Sequence, residues 1–399
     1  MRTTYKLLKL TLKLLALICL LGACLNGKAQ TNESKQLDLY DLSLKLFKQK
    51  PKLDNVKKVE SSIVPAIGYS MHTNWAASVN ANFFIRRNAA HLEDKNNTIL
   101  TSFTYTINNQ FMVPLQSNWW FKGNKWNINI DWRFLKYPSI TYGLGARSRL
   151  TDANYIDYRY LKLHQTISHA IAKNLYAGVG LYYDYIYNIQ ELNPTTKLSS
   201  FKKYDSSTTE KAVGPVFKLL FDNRDNQLNA TQGWFATLIF RPNLVAFGSY
   251  ADWQSLLIDI RKYIRLNNHT QNVLAIWSYS WLTLNGIPPY LLLPSTGWDD
   301  TYNTGRGFIQ GRYRGRNLLY LESEYRFGIS KNGLFGGVIF ANAQSISKEI
   351  NTNIRGLAIG YGAGIRIKAN KHSNTNICID YGIGKDGSNG ISVNLGEVF

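Results

Sequence analysis

Cysteine, acidic residues and long apolar runs are scarce in this chain of 399 residues. It has 3 cysteines, of which Cys19 and Cys24 lie near the N-terminus; Cys378 alone is left in the body of the chain, where no disulfide can form. Beyond the N-terminus there is no stretch of about 18 apolar residues, which argues against a transmembrane helix. The 6 histidines are scattered, and no Gly-x-Ser-x-Gly motif or phosphate-binding loop is present. We therefore expect neither enzyme activity nor a cofactor.

The N-terminus has a basic start and an apolar centre, and the small residues Gly27 and Ala29 follow. This pattern predicts a secretory signal peptide over residues 1–29, cleaved before Gln30. The stretch Leu21-Gly22-Ala23-Cys24 also resembles a lipoprotein cleavage box, so lipidation at Cys24 is the alternative. Loss of this basic segment lowers the formal charge from +20 to +15. An exported basic protein can face anionic lipid headgroups or line a polar lumen, and we expect no nucleic-acid partner.

Strict alternation of apolar and polar residues runs through much of the chain, for example from Trp126 to Phe134. Alternation at a period of two indicates half-buried strands. A soluble β-sandwich alternates in the same way. However, aromatic residues stand at many strand ends and the opposite face is polar, glycine-rich and charged, which favours a transmembrane barrel. In that barrel Ile359, Ile365, Ile379 and Leu395 face lipid.

About sixteen strands are predicted, which makes the fold all-β: a transmembrane antiparallel β-barrel over residues 61–399. The strands start near residues 62, 75, 97, 110, 125, 153, 174, 211, 233, 251, 271, 316, 333, 355, 375 and 390. An even number places both termini on the periplasmic side. The longest connections follow odd-numbered strands and tight turns follow most even-numbered ones, as in outer-membrane barrels.

A short helix is predicted in the periplasmic N-terminal segment, residues 30–60. Leu37, Tyr40, Leu44 and Phe47 recur at helical spacing, and acidic residues precede basic ones, which suits the helix dipole. We expect this helix to pack at the periplasmic mouth of the barrel. A partner-binding helix is the alternative.

Four stretches resemble the BamA/TamA outer-membrane protein family, the bacterial surface antigen barrels. They are FDNRDNQLNATQGWF (Phe221 to Phe235), GRGFIQGRYRG, ESEYRF and GVIFANA, in the family's order and spacing. Four positions depart from the family's pattern, with Ala230 for a proline, Gly305 for an aliphatic residue, Asn342 for an acid and Ala343 for a glycine. The resemblance covers about residues 60 to 399 and implies an integral protein of the bacterial outer membrane.

The resemblance implies a role for Arg306. In such barrels the loop that carries this arginine folds back into the lumen and meets acidic groups on neighbouring strands. The alternation of NLLYLESEYRF places two acids on the inward face, Glu322 and Glu324, and we expect an Arg306–Glu324 pair. The alternative is a solvated loop charge. The other residues of this predicted anchor are Gly305, Gly307 and Phe308. A second predicted feature is a periplasmic turn formed by Asp222, Arg224, Asp225, Asn226 and Gly233.

The resemblance also carries the functional hypothesis. We expect a barrel that aids insertion or assembly of outer-membrane components, with outer-membrane lipid as a partner and nascent outer-membrane proteins or periplasmic partner chains as further ones. The barrel must close between its first and last strands, where Pro65 lacks an N–H and Gly396 packs little, near the terminal Phe399. Residues 30–60 are too short for a POTRA module, so the chain resembles barrel-only members of the family. The rival hypothesis is a passive channel or structural surface barrel without insertase activity.

Overall fold

A computed structural model gives the fold and describes most of the chain beyond its N-terminal segment. The described residues are 36–46, 59–85, 95–121, 123–192, 199–204, 207–267, 272–348, 356–371 and 374–399. The predicted signal peptide, with its two alternative cleavage sites, lies outside them.

Seventeen β-strands form one sheet, which confirms the predicted all-β barrel. The strands are β1 (Val59–Ser70), β2 (Asn74–Ile85), β3 (Asn97–Thr106), β4 (Phe111–Phe121), β5 (Trp126–Lys136), β6 (Ser139–Thr141), β7 (Asn154–Ala172), β8 (Leu175–Glu191), β9 (Thr209–Asp222), β10 (Gly233–Asn243), β11 (Trp253–Arg265), β12 (Val273–Gly286), β13 (Asn317–Gly328), β14 (Phe335–Ser347), β15 (Ala358–Asn370), β16 (Thr375–Ile383) and β17 (Asn389–Leu395). Both β5 and the three-residue β6 pair with β7, so they are two pieces of one wall strand. The wall therefore has the predicted sixteen positions.

Each wall strand pairs antiparallel with the next one along the chain, from β1–β2 to β16–β17. The first and last strands come together to close the wall, and their outer ends touch where a Cβ on Gly390 would lie 2.1 Å from the Cγ of Met71. Among the described residues, however, no register of paired residues joins β1 to β17. The closure is thus less regular than every other junction of the wall.

The alternation seen in the sequence separates a lipid-facing surface from a lumen-facing one. The predicted lipid-facing residues Ile359, Ile365, Ile379 and Leu395 are exposed on the outside. Between them, Arg366, Cys378 and Asp380 are buried inside the barrel. A polar side chain on the outer surface would have to lose its water to lipid, whereas an apolar one does not. The period-two pattern therefore determines which residues face lipid and which face the lumen.

The connections fall into two sets that define the two rims. We call the rim at which β6, β8, β12 and β14 end the long-loop rim, and the opposite one the short-turn rim. The longest connection, residues 287–316, is named the crossing loop. Most turns of the short-turn rim are tight, as between Ala172 and Leu175.

Within the described parts of the chain, two short α-helices accompany the barrel, α1 (Leu39–Leu46) and α2 (Ser200–Tyr204). The entry to α1 is fixed to two short turns, since the Leu37 N–H donates to the Asn332 carbonyl at 3.0 Å and Lys371 pairs with Asp41 at 2.7 Å. The helix therefore docks on the short-turn rim. Phe47, the last residue of the predicted helical spacing, lies outside the described residues. None of the described helices is long and apolar enough to span a membrane.

Candidate functional site

The crossing loop turns back into the lumen around Arg306. Gly305 and Gly307 have φ of 82° and 94°, a left-handed conformation that side-chain-bearing residues rarely adopt. A Cβ on Gly307 would lie 2.9 Å from the backbone of Ile383, and one on Gly305 would lie 2.4 Å from the Cγ2 of Thr296. Gly307 therefore lets the loop press against the wall, and Gly305 lets the loop fold closely against its own residue Thr296. The structure places the predicted glycines of the anchor at these contacts.

The guanidinium of Arg306 is buried among three carboxylates. It donates to Glu322, to Glu324 at 2.5 Å and to Asp380 at 3.0 Å. It also lies 3.7 Å from the ring centroid of Phe340, which covers one face of the cation. The Arg306 side chain is only 5% exposed, so it is not a solvated loop charge.

These carboxylates belong to a larger ionic network that spans β13, β15, β16 and the C-terminal segment. Arg326 binds Glu324 at 2.5 Å, and Arg366 binds Asp380 at 2.5 Å and Glu397 at 2.8 Å. Three arginines thus alternate with four carboxylates, and the Tyr320 hydroxyl donates to Glu322. Buried charges are tolerated where each has partners, and removal of one partner leaves the others uncompensated. The network should therefore behave as a unit.

The wall around the loop is shaped to admit its backbone. Asn342, at the position where the resembled pattern has an acid, donates to the Arg306 carbonyl at 2.9 Å. Gly360, Gly382 and Gly384 leave room for the loop, since a Cβ on any of them would come within 3.0 Å of Arg306, Gly307 or Phe308. Asn342 therefore holds the loop through its backbone rather than through the guanidinium. The third carboxylate comes from Asp380 instead.

Phe308 packs inside the barrel beside the arginine. It is 5% exposed and lies edge-to-face on Tyr313, with ring centroids 5.7 Å apart. It belongs to the buried apolar cluster that also contains Trp277, Tyr320 and Phe399. The predicted anchor residues Gly305, Arg306, Gly307, Phe308, Glu322 and Glu324 are thus brought together in the lumen.

A second part of the crossing loop, at Asp300, reaches the opposite wall. The Asp300 carbonyl accepts from Arg133 on β5 at 2.6 Å, and its carboxylate pairs with Lys162 on β7 at 3.0 Å. Asp299 accepts from the backbone N–H groups of Asn303 and Thr304 and so shapes the turn between the two attached parts. The loop therefore crosses the lumen from β5 and β7 to β13–β16. Sequence reasoning did not find this second attachment, because a lone aspartate in a loop carries no signal of its distant partners.

The predicted turn motif lies at the short-turn rim and organises its own backbone. Arg224 pairs with Asp222 at 2.9 Å, and Asp225 accepts from the N–H of Thr231. Asn226 accepts from two further backbone N–H groups, and Gly233 closes the turn with φ of 106°. Aspartate and asparagine commonly bond to nearby backbone in such turns. The arrangement has the chemistry of a rigid turn.

The C-terminal segment is placed differently from the prediction that Gly396 and Phe399 lie in the closing strand. The strand β17 ends at Leu395, and Gly396, with φ of 92°, turns the chain inward. Phe399 is 6% exposed and packs on Trp277, with ring centroids 5.2 Å apart. Its backbone oxygen accepts a hydrogen bond from the Arg326 guanidinium. Buried aromatic neighbours and a buried arginine draw the chain end into the lumen. Pro65 alone of the three predicted seam residues lies in a closing strand.

Comparison with known families now decides what this barrel is. The model of the Omp85 superfamily domain matches residues 73–399. The chain belongs to the Omp85 superfamily. This confirms the resemblance to BamA/TamA-type barrels and the integral outer-membrane location. A sequence comparison with curated proteins finds no match.

Solved structures agree with the family. BamA from Haemophilus ducreyi lacking POTRA domains 1–3 superposes with a TM-score of 0.54 at 13% identity, covering 93% of this chain and 82% of that one. CdiB from Acinetobacter baumannii gives a TM-score of 0.55 at 12% identity, with 86% and 60% covered. CdiB from Escherichia coli gives 0.58 at 10% identity, with 87% and 63% covered. This Omp85 chain spans under two thirds of either CdiB chain, and at these identities the likeness shows the fold.

No metal centre is found in the Omp85 barrel within the described residues, where no three His, Cys, Asp or Glu side chains form a group that could hold an ion. The buried charges of the loop site are instead engaged with one another. The site's chemistry is therefore that of an ionic anchor that fixes a loop inside a barrel.

Proposed function

We propose that this barrel aids the insertion or assembly of outer-membrane proteins, and that the junction of β1 with β17 is where it does so. Membership in the Omp85 superfamily supports the assembly or secretion class. The single observation that carries the proposal is that β1 and β17 lie together without a paired register, while every other junction of the described wall has one.

The lengths of the two closing strands make this junction weak. β1 has 12 residues and pairs with β2 along all of them, whereas β17 has 7 residues. Pro65 in β1 also has no N–H to give to a neighbour. An unpaired strand edge can template the pairing of another chain, so β1 offers backbone groups to an incoming strand.

The charged network assigns different roles to the two sides of the junction. Glu397, two residues beyond the end of β17, is held by Arg366 on β15 and lies 3.8 Å from Arg326 on β13. Arg306 adds the crossing loop to the same wall. The β13–β17 side is therefore stiffened by buried ion pairs, and opening should move β1 and its neighbours instead.

A deletion strain tests the proposal. In cells that lack the chain, quantitative proteomics of isolated outer membranes should show a lower content of other outer-membrane barrels, and the wild-type chain should restore it. An unchanged outer-membrane proteome would contradict the proposal and support the rival hypothesis of a passive or structural barrel. A matched complementation with Arg306→Lys keeps the charge but removes the fork-shaped guanidinium, and should restore the proteome only in part.

A further inference from the structure

One side of the lumen is lined by uncharged side chains, most of them small and polar. The described inward side chains of β2 and β3 are Asn74, Ala76, Ser78, Asn80, Asn82, Phe84, Thr98, Leu100, Ser102, Thr104 and Thr106. Gln116 and Asn118 continue this lining on β4, and Ser392 and Asn394 continue it on β17. Their outward neighbours Val79 and Phe103 are 49% and 53% exposed, which fixes the inward direction of the others. We call this surface the neutral wall.

The opposite side of the lumen differs in charge. From β8 to β11 the inward side chains include Asp184, Arg241, Asp259 and Arg261, which form ion pairs with each other or with residues beside them. The crossing loop stands between the two sides, because its middle part is fixed to β7 through Asp300 and to β16 through Arg306. The lumen is thus divided into a charged half and a neutral half.

The neutral wall is only partly covered by other side chains. Nearly all of the inward residues on β2 and β3 keep part of their surface accessible, although they face the inside of the barrel. In contrast, Glu322, Glu324 and Arg326 on β13 are buried. An accessible surface of amides and hydroxyls presents both hydrogen-bond donors and acceptors and no net charge.

A cluster of buried contacts lies at the long-loop end of the neutral wall. Gln110, fully buried, donates to the Nε2 of His72 and to the Pro138 carbonyl, both at 2.9 Å. His72 stacks on Tyr137 with ring centroids 5.2 Å apart, and Tyr137 donates to Gln310 of the crossing loop at 2.6 Å. The β1–β2, β3–β4 and β5–β6 connections therefore meet the crossing loop at one point. We call this cluster of His72, Gln110, Tyr137, Pro138 and Gln310 the roof.

We propose that the neutral half of the lumen is a permeation path for small uncharged hydrophilic molecules, closed at its outer end by the roof. The neutral wall can exchange hydrogen bonds with a polyol or sugar as it displaces water. It gives no electrostatic attraction to an ion of either sign. This activity goes beyond assistance to membrane assembly and does not depend on it.

Liposome swelling with arabinose tests the path on the purified full-length protein. Gln110→Ala removes the central donor of the roof and should raise the swelling rate severalfold over wild type. The matched control is Gln344→Ala, another buried glutamine, which accepts from Thr296 under the crossing loop at 2.7 Å on the far wall. It should leave the rate unchanged. Heat-modifiable migration on semi-native gels verifies that each variant is folded.

A blocking variant then locates the path. In the Gln110→Ala background, Asn82→Trp should return the swelling to the wild-type rate, whereas Thr237→Trp on the inward face of β10 should not. In planar bilayers, Gln110→Ala should show weak ion selectivity, and Asn82→Asp should shift the reversal potential towards cation selectivity. The proposal is overturned if Gln110→Ala swells no faster than Gln344→Ala. It is also overturned if swelling persists in Asn82→Trp, since the molecules would then pass elsewhere.

Discussion

Arg306 and Asp380 meet inside the barrel, with the Nη1 of the arginine 3.0 Å from the Oδ2 of the carboxylate. The arginine comes from a loop of the long-loop rim and the aspartate from β16, so the pair ties the longest connection to the wall next to the closing strand. Arg366 shares the same carboxylate. One aspartate therefore joins the loop anchor to the network that holds the C-terminal segment.

Arg306→Ala should destabilise the folded barrel by several kcal/mol, since the loss of one partner of a buried ion pair costs about 3–5 kcal/mol. Three carboxylates would be left without their shared cation. The melting temperature of the heat-modifiable band on semi-native gels measures this. Glu324→Ala should act in the same direction, and the double variant should be less than additive. Effects that are small and strictly additive would mean that the pair is not coupled.

Phe399→Ala should be destabilising because the ring is buried among aromatic side chains rather than exposed to lipid. Large-to-small changes of a buried phenylalanine cost roughly 3–5 kcal/mol. Phe335→Ala, which truncates an outward ring that is 42% exposed, is the control and should cost less. A urea titration of both variants refolded in bilayers compares them. Equal costs would place the terminal ring at the lipid surface.

Neighbouring substitutions on β2 should differ according to the face they occupy. Val79→Arg puts a charge on the lipid-facing surface and should cost roughly 2–4 kcal/mol near the bilayer midplane. Asn80→Arg puts the same charge on the neutral wall, where water can solvate it, and should cost less. Bilayer refolding titrations decide between them, and a larger cost at Asn80 would reverse the assigned faces.

Acid should loosen the roof through His72, whose pKa is lowered by burial to about 4. The folded state keeps this imidazole neutral, so its contribution to stability is present above the ordinary pKa of 6.5 and is lost as pH falls towards 4. His72→Gln keeps an acceptor for Gln110 but cannot be protonated. Between pH 7 and pH ~4.5 the melting temperature of wild type should fall further than that of His72→Gln. Parallel curves for the two proteins would exclude His72 as the cause.

The sequence was sufficient for the barrel because period-two alternation reports directly on the two faces of a strand. All sixteen predicted strands have a counterpart in the structure. Glu322 and Glu324 lie on the inner face, as their parity, meaning their odd or even position in the alternation, predicts. The pairing of Arg306 with Asp380 was not predicted, although the alternation that puts Ile379 outside puts its neighbour Asp380 inside. Parity gives the face of a residue but not its height in the barrel or its partner across the lumen.

The C-terminal segment shows a second limit of the pattern. The alternation of ISVNLGEVF stops after Leu395, because Glu397 falls on the lipid-facing side of the pattern. This break marks the end of the strand but does not indicate that Gly396 turns the chain inward and that Phe399 enters the lumen. That turn is decided by Arg326, Trp277 and Tyr263, which are far away in the sequence and receive the chain end. The attachment of Asp300 to β5 and β7 depends in the same way on long-range contacts.

A disulfide across the β1–β17 junction tests the central claim most directly. Ile67→Cys on the outward face of β1 is combined in turn with Val393→Cys and Leu395→Cys on β17, and the pair that oxidises fastest is kept. The control joins Ile67→Cys to Ala77→Cys, a directly opposed pair on β1 and β2. If the barrel aids assembly by opening this junction, the oxidised β1–β17 variant should fail to restore the outer-membrane proteome of the deletion strain, and reductant should recover it. The β1–β2 control should restore it under both conditions. Full restoration by the oxidised β1–β17 variant would contradict the account.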